Sequence, residues 1–114
     1  AMTDCIFCKI IAGDINSVCL YEDEYVYAFK DINPQTPVHF LVIPKKHIIS
    51  MNEVNAENSQ IAAKCLEAIA KIAKDLKLEA GYRVISNCGA DAGQTVFHLH
   101  FHVLAGRPLG EKLV

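Results

Sequence analysis

The sequence is short of net charge, of long apolar runs and of paired cysteines, and each shortage excludes something. Its formal net charge is −2 at pH 7, so no general basic field exists to hold a nucleic-acid backbone against salt, and a nucleic-acid polymer is not an expected partner. A small anionic ligand needs only local donors and stays open. No window approaches the roughly 18 consecutive apolar residues of a membrane span, and no basic stretch followed by an apolar run precedes the first polar segment. A soluble, unexported protein with no membrane partner is expected. The five cysteines, Cys5, Cys8, Cys19, Cys65 and Cys88, form an odd set. Without a secretory signal they point to a reducing compartment, the cytoplasm, rather than to a disulfide scaffold. Internal repeats and low-complexity linkers are also missing.

What is present suits one core. A chain of 114 residues, 52% of them hydrophobic, is long enough to bury a single core and too short for two ordinary domains. One domain over 2–114 is expected, with Ala1 before Met2 reading as an expression-tag remnant. Ile6, Phe7, Ile10 and Ile11 recur at helical intervals between a possible cap, Asp4, and a stop, Gly13. Val18 to Tyr21 and Tyr25 to Phe29 read as a hairpin around Glu22-Asp23-Glu24. Pro37 and Pro44 bracket Val38 to Ile43, a central strand with His39, Leu41 and Ile43 on one face. Ile61, Ala62, Cys65, Leu66, Ile69, Ile72, Ala73 and Leu76 mark one long amphipathic helix from about Ala56 to Leu76, stopped near Gly81. Tyr82 to Ser86 is a short strand, Asn87 to Gln94 a turn-rich loop, and Val96 to Leu104 a last, alternating strand. The class is α+β: an antiparallel sheet of about five strands packed with one long and one short helix. Cys19 and Cys65 read as small buried hydrophobes.

The chemistry concentrates in the last strand. His98, His100 and His102 alternate with Leu99, Phe101 and Val103, which places three imidazoles on one face, about 6.5–7 Å apart at about 3.3 Å per residue. A lone histidine in a strand is ordinarily a satisfied, partly buried residue, but each of three in register needs its own partner and can change charge near neutral pH. Such a row can ligate a catalytic zinc, or supply a nucleophile with supporting donors for phosphoryl chemistry. Gly93-Gln94-Thr95, just upstream, offers open backbone, an amide and a hydroxyl. That set suits phosphate oxygens better than another metal shell.

The run from Gly93 to Leu104 resembles the histidine triad (HIT) signature, and Asp31 to Ile48 is similar to the Hint branch nearly residue for residue. The resemblance covers almost the whole chain. It implies a nucleotide-binding HIT-like fold, paired into a homodimer with one continuous sheet. It also implies a nucleotidyl hydrolase acting on purine nucleoside phosphoramidates or related nucleotides, with AMP or GMP as product. By position His100 matches the nucleophile, which would form a nucleotidyl-histidine intermediate. His98 matches the residue whose carbonyl orients it, His102 a phosphate contact, and His39 a histidine beside the nucleophile. Asp31 matches the carboxylate on the ribose hydroxyls, Ile32 the base pocket, and Asn87 a contact near phosphate, with Gly93, Gln94 and Thr95 beside them. Thr95 stands where the Hint signature usually has serine, keeping the hydroxyl. The tail after Arg107 lacks the tryptophan- and proline-containing end of eukaryotic Hint proteins, which leaves leaving-group preference open. Dinucleoside polyphosphate hydrolysis and non-catalytic nucleotide binding are the alternatives.

Cys5-Ile6-Phe7-Cys8 raises a second chemistry, because two cysteines three apart on a short helix can bite one tetrahedral metal. On spacing alone, unliganded thiols are an equal reading, and a thioredoxin-like dithiol fits less well because no βαβ pattern surrounds it. The N-terminus resembles bacterial-type triad proteins, in which histidines matching His47 and His98 complete the site. The resemblance therefore implies structural zinc at Cys5, Cys8, His47 and His98, and no organic cofactor. Lys45 and Lys46 read as solvated surface charge.

Overall fold

A computed structural model describes residues 4–114, so the expectation for Ala1 lies outside the described residues. The chain runs α1 (Ile6–Ala12), β1 (Cys19–Glu22), β2 (Val26–Lys30), β3 (Val38–Pro44), α2 (Ser59–Asp75), β4 (Arg83–Ile85) and β5 (Phe101–Ala105), with short 3-10 turns at Met51–Glu53 and Ala90–Ala92. The five strands make one antiparallel sheet in the order β1-β2-β3-β5-β4. No helix among the described residues is long and apolar enough to cross a membrane.

Strand alternation divides the core into two layers. Val26, Ala28, Phe40, Val42, Phe101 and Val103 face α2, where Cys65, Ala68, Ile69 and Ile72 complete a buried cluster. Tyr27, Phe29, Leu41 and Ile43 face the other way and meet Phe7 and Ile10 of α1. The long helix therefore closes one face of the sheet, and the short one covers only part of the other. That incomplete cover is what leaves room for a site.

Local chemistry sets the turns. Asp23 shapes the β1–β2 hairpin: its carboxylate accepts from the backbone N–H groups of Tyr25 and Val26 at 2.8 and 2.9 Å and from the Tyr21 hydroxyl at 2.7 Å. The end of β5 needs Gly106. Its φ is +100°, and a Cβ there would lie 2.7 Å from the Cβ of Pro37.

Four expectations are corrected. Cys5, not Asp4, caps α1, its thiol accepting from the Cys8 N–H at 3.4 Å. Helix α2 closes on Leu76, as expected, but starts at Ser59 rather than about Ala56 and is stopped by Lys77 rather than Gly81: Lys77 adopts the left-handed conformation (φ +59°) and the Leu78 N–H bonds back to the Ala73 carbonyl. Cys19 is exposed, since β1 is an edge strand whose register shifts between Cys19 and Tyr21. The last strand starts at Phe101, so Phe97, ahead of any pairing, is 57% exposed rather than part of the core face.

Candidate active site and metal centre

The histidines divide into two groups. Only His102 lies within β5, while His98 and His100 belong to the extended segment before it. His100 and His102, with ring centroids 5.2 Å apart, line a cavity of about 730 Å³ on the α1 side of the sheet, and His39 of β3 joins them. His98 is fully buried and does not line it. Its Nε2 donates to the Pro44 carbonyl at 2.8 Å, and its Nδ1 points to Cys5, Cys8 and His47. One row of three imidazoles on one surface is thus corrected to two in the cavity and one beneath it.

Hydrogen bonds fix the tautomers in the cavity. His100 is 7% exposed, and its Nδ1 donates to the carbonyl of His98 at 2.7 Å. A carbonyl can only accept, so the proton is on Nδ1 and the Nε2 lone pair is left for chemistry. Phe7 packs edge-on against the same ring, centroids 5.1 Å apart, and the Ser86 hydroxyl donates to the His100 carbonyl at 3.0 Å. Beside it, the Gln35 N–H donates to Nδ1 of His39 at 3.1 Å, which places the His39 proton on Nε2. That nitrogen lies 3.0 Å from Nδ1 of His102 and 3.4 Å from the Asp31 carboxylate. His102 therefore accepts at Nδ1 and carries its own proton on Nε2. Burial, reinforced by the neighbouring imidazoles of His100 and His39 and opposed by Asp31, pushes its pKa down to about 4, so the ring is neutral at pH 7.

The rest of the cavity wall mixes apolar and polar side chains. Asp31, Ile32, Asn87, Gly93 and Thr95 all line it. Ile32 is 89% exposed, an apolar side chain standing unpacked at the rim. Gln94 does not line it: its amide donates to the carbonyls of Ile49 and Val96 at 2.8 and 3.1 Å, and its oxygen accepts from the Gly89 N–H at 2.9 Å. Both N–H donors and one oxygen lone pair of that side chain are spent on backbone groups. Lys45 is ion-paired with Glu22 at 2.7 Å. Phe7 and Gln35 went unnoticed as site residues in the sequence reading. Phe7's only signal was its place between the two cysteines, and Gln35 acts through backbone, which its identity does not advertise.

Beneath the cavity, Cys5, Cys8, His47 and His98 place four ligand atoms within 4.8 Å of one another, a set able to hold a metal ion. The closest approaches are 3.3 Å from Cys5 Sγ to His98 Nδ1, 3.4 Å from Cys8 Sγ to His47 Nδ1, and 3.2 Å between the two Nδ1 atoms. Burial pushes the pKa of His98 down to about 4, with the adjacent imidazoles of His47 and His100 adding to it and the Pro44 hydrogen bond opposing.

Fold and site together define a class: an α+β domain that aims an oriented imidazole lone pair into a cavity with a carboxylate, an amide and a hydroxyl on its wall. A family model described as the HIT domain matches residues 12–109, and the chain belongs to that family. It is 46% identical to the purine nucleoside phosphoramidase of Escherichia coli K12 over 109 residues, covering 95% of this chain and 92% of that protein. Among solved structures it is similar to a HIT family hydrolase from Clostridium thermocellum, with a TM-score of 0.97 and 51% identity over the whole of both chains. A histidine triad protein from Clostridium difficile gives a TM-score of 0.94 and 47% identity over 98% of each chain.

Proposed function

We propose that this chain, a single domain over 2–114, hydrolyses purine nucleoside phosphoramidates or closely related nucleotides through a covalent nucleotidyl intermediate on His100. The observation that carries this reading is the orientation of one ring: with Nδ1 of His100 bonded to the His98 carbonyl and the residue on the cavity wall, Nε2 is the nitrogen left to act as nucleophile. Its likeness to the E. coli phosphoramidase over nearly all of both chains supports the same substrate class. In this reading the purine lies on Ile32, the ribose hydroxyls donate to Asp31, and the α-phosphate rests among Asn87, Gly93, Thr95 and His102.

Attack by Nε2 of His100 forms a nitrogen–phosphorus bond as the bond from phosphorus to the leaving amine breaks, the amine taking up a proton from solvent. Water then attacks the same phosphorus, the His100–phosphorus bond breaks, the water's proton returns to solvent, and AMP or GMP leaves. Two easier displacements replace one difficult one. His102, held as an Nε2 donor through Gln35 and His39, gives its N–H to a phosphate oxygen where charge develops, with the Thr95 hydroxyl beside it. His98 acts through its carbonyl, and Gln94 through the shape of the loop.

Cys5, Cys8, His47 and His98 would hold zinc in a structural role. With zinc–sulfur near 2.3 Å and zinc–nitrogen near 2.0–2.1 Å, tetrahedral edges are about 3.5 Å for S···N and 3.3–3.4 Å for N···N, and the observed 3.2–3.6 Å fits them. A thiolate-rich zinc centre suits the cytoplasm, where thiols stay reduced. The chain also acts as a homodimer in this reading, a second copy extending the sheet beyond β4, its terminal strand, where Tyr82 and Val84 are exposed.

The test offers adenosine and guanosine phosphoramidates and a dinucleoside polyphosphate to wild type and His100→Ala, reading products and intact mass. The expected result is phosphoramidate turnover with a transient nucleotidyl adduct, and loss of both by about 10³-fold or more in the variant. Nucleotide binding without turnover would make the chain a binding protein only. An adduct persisting in the variant would remove His100 from its role.

A further inference from the structure

The first turn of α1 carries Cys5 and Cys8 with Phe7 between them, and two separate contacts tie that turn to the cavity. One runs through His98, whose Nδ1 lies 3.3 Å from Cys5 Sγ and 3.6 Å from Cys8 Sγ while its carbonyl holds Nδ1 of His100 at 2.7 Å. The other runs through Phe7, whose ring stands edge-on to His98 and His100 with centroids at 5.9 and 5.1 Å and forms part of the cavity wall. Both cysteines are partly exposed, unlike Cys65, which is fully buried. Neither is sealed in the core, which gives a small-molecule oxidant a route to the pair whose placement bears on the nucleophile.

We propose that Cys5 and Cys8 are a redox-controlled clasp on the active site: their oxidation to an intramolecular disulfide releases the metal and lets His100 leave its aimed position. This rests on the hydrolase and zinc readings above. With a small-molecule disulfide as oxidant, one protein thiolate attacks it to give a mixed disulfide and one free thiolate, and the second protein thiolate displaces the other half. Two protein thiolates are oxidised by two electrons, one oxidant disulfide is reduced to two thiols after protonation by solvent, and the metal leaves as the hydrated cation. His47 and His98 alone are too few to hold it.

The geometric consequence follows from bond lengths. Two sulfurs at neighbouring corners of a tetrahedral zinc are about 3.8 Å apart, and a disulfide draws them to about 2.0 Å. Closing that gap draws Cys5 Sγ off the cap of α1, where it accepts from the Cys8 N–H at 3.4 Å, and so loosens the turn that holds Phe7 against the edge of the His100 ring. His98 loses its partners at Nδ1 in the same event and keeps only the Nε2 bond to Pro44, which loosens the residue whose carbonyl holds Nδ1 of His100. A nucleophile displaced by an ångström loses on the order of 10²-fold in rate.

The zinc-loaded, reduced chain is treated with glutathione disulfide. Zinc release is read with a chromophoric chelator, the modified residues by peptide mass, the His100 ring nitrogens by ¹⁵N NMR, AMP affinity by calorimetry, and turnover with a phosphoramidate. The expected result is one zinc released per chain, loss of two hydrogens mapped to Cys5 and Cys8, a shift of the His100 nitrogens, and a fall in kcat of about tenfold or more. Dithiothreitol with zinc restores all of these, and a Cys19→Ser/Cys88→Ser variant responds as wild type does. Zinc retained under oxidation would overturn the clasp. So would a response that follows Cys19 or Cys88, or unmoved His100 nitrogens once the Cys5–Cys8 disulfide is complete. A chain that turns over no phosphoramidate fails the hydrolase reading separately, while zinc, mass and ¹⁵N signals still decide the clasp.

Discussion

Among the described residues two clusters of potential metal ligands lie on the α1 side of the sheet, and their hydrogen bonds separate them. In Cys5, Cys8, His47 and His98 the Nδ1 atoms of two imidazoles face each other and two sulfurs, while Nε2 of His98 is already spent on the Pro44 carbonyl. The lone pairs converge. In Asp31, His39 and His102 the ligand atoms also lie within reach of one ion, but the Gln35 N–H occupies Nδ1 of His39 and forces the proton onto the Nε2 that faces the cluster. A cation there would have to expel that proton and leave an imidazolate. Proximity of ligand types is common to both clusters, and the placement of a single backbone N–H leaves one able to hold a metal ion and, in the proposed reading, makes the other a donor chain to phosphate.

The comparison is sharpest in metal binding. The chain is expected to take up one zinc rather than two, and Cys8→Ser to abolish uptake while Asp31→Asn leaves it intact. At free zinc a thousandfold above its dissociation constant, the metal adds about 4 kcal/mol of stability. Calorimetric titration and chelator-dependent melting read both numbers, and a second equivalent competing with AMP would erase the distinction.

Acid should act next on the donor chain. His102 titrates near pH 4 in the fold and near 6.5 in the unfolded chain. Above pH 6.5 neither state binds the proton. Below it the unfolded chain does and the fold does not, so stability falls as pH drops from about 6.5 toward 4, by up to about 3 kcal/mol from this group. Urea unfolding across that range, together with an NMR titration of His102, tests the sign and the window.

Much of this was legible in the sequence, for reasons that differ by element. The hairpin, the β3 face of His39, Leu41 and Ile43, and the α2 core positions Cys65, Ile69, Ile72 and Ala73 follow from periodicity, because burial on one face imposes it. His100 and the CxxC were legible as chemical types at telling spacings. The departure of His98 from the row was not, because strand alternation assumes pairing and β5 pairs only from Phe101. Nor was Gln94's commitment to three backbone groups, since an amide reads the same whether it faces ligand or loop. The end of α2 near Leu76 was legible in the apolar spacing, but its stop rests on a lysine in a conformation that favours glycine, which no pattern announces.

Asp31→Asn is expected to raise KM for a phosphoramidate about ten- to a hundredfold, the weight of a charge-assisted hydrogen bond or two, with kcat far less affected. Steady-state kinetics separate the two, and an equal fall in kcat would move Asp31 from ribose to chemistry. The smallest effect belongs to the opposite side of the sheet: Lys77→Gly relieves the left-handed backbone at the end of α2 and adds about 0.5 kcal/mol, net of the entropy of the freer unfolded chain. Thermal melting reads it, and activity does not change.

The most direct measurement is the site of attachment in the trapped nucleotidyl adduct. Phosphorus bonded to Nε2 of His100, identified by ³¹P–¹⁵N coupling in selectively labelled protein, is the predicted result, because Nδ1 is held by the His98 carbonyl. Attachment through Nδ1, or on His102 or His39, would contradict it.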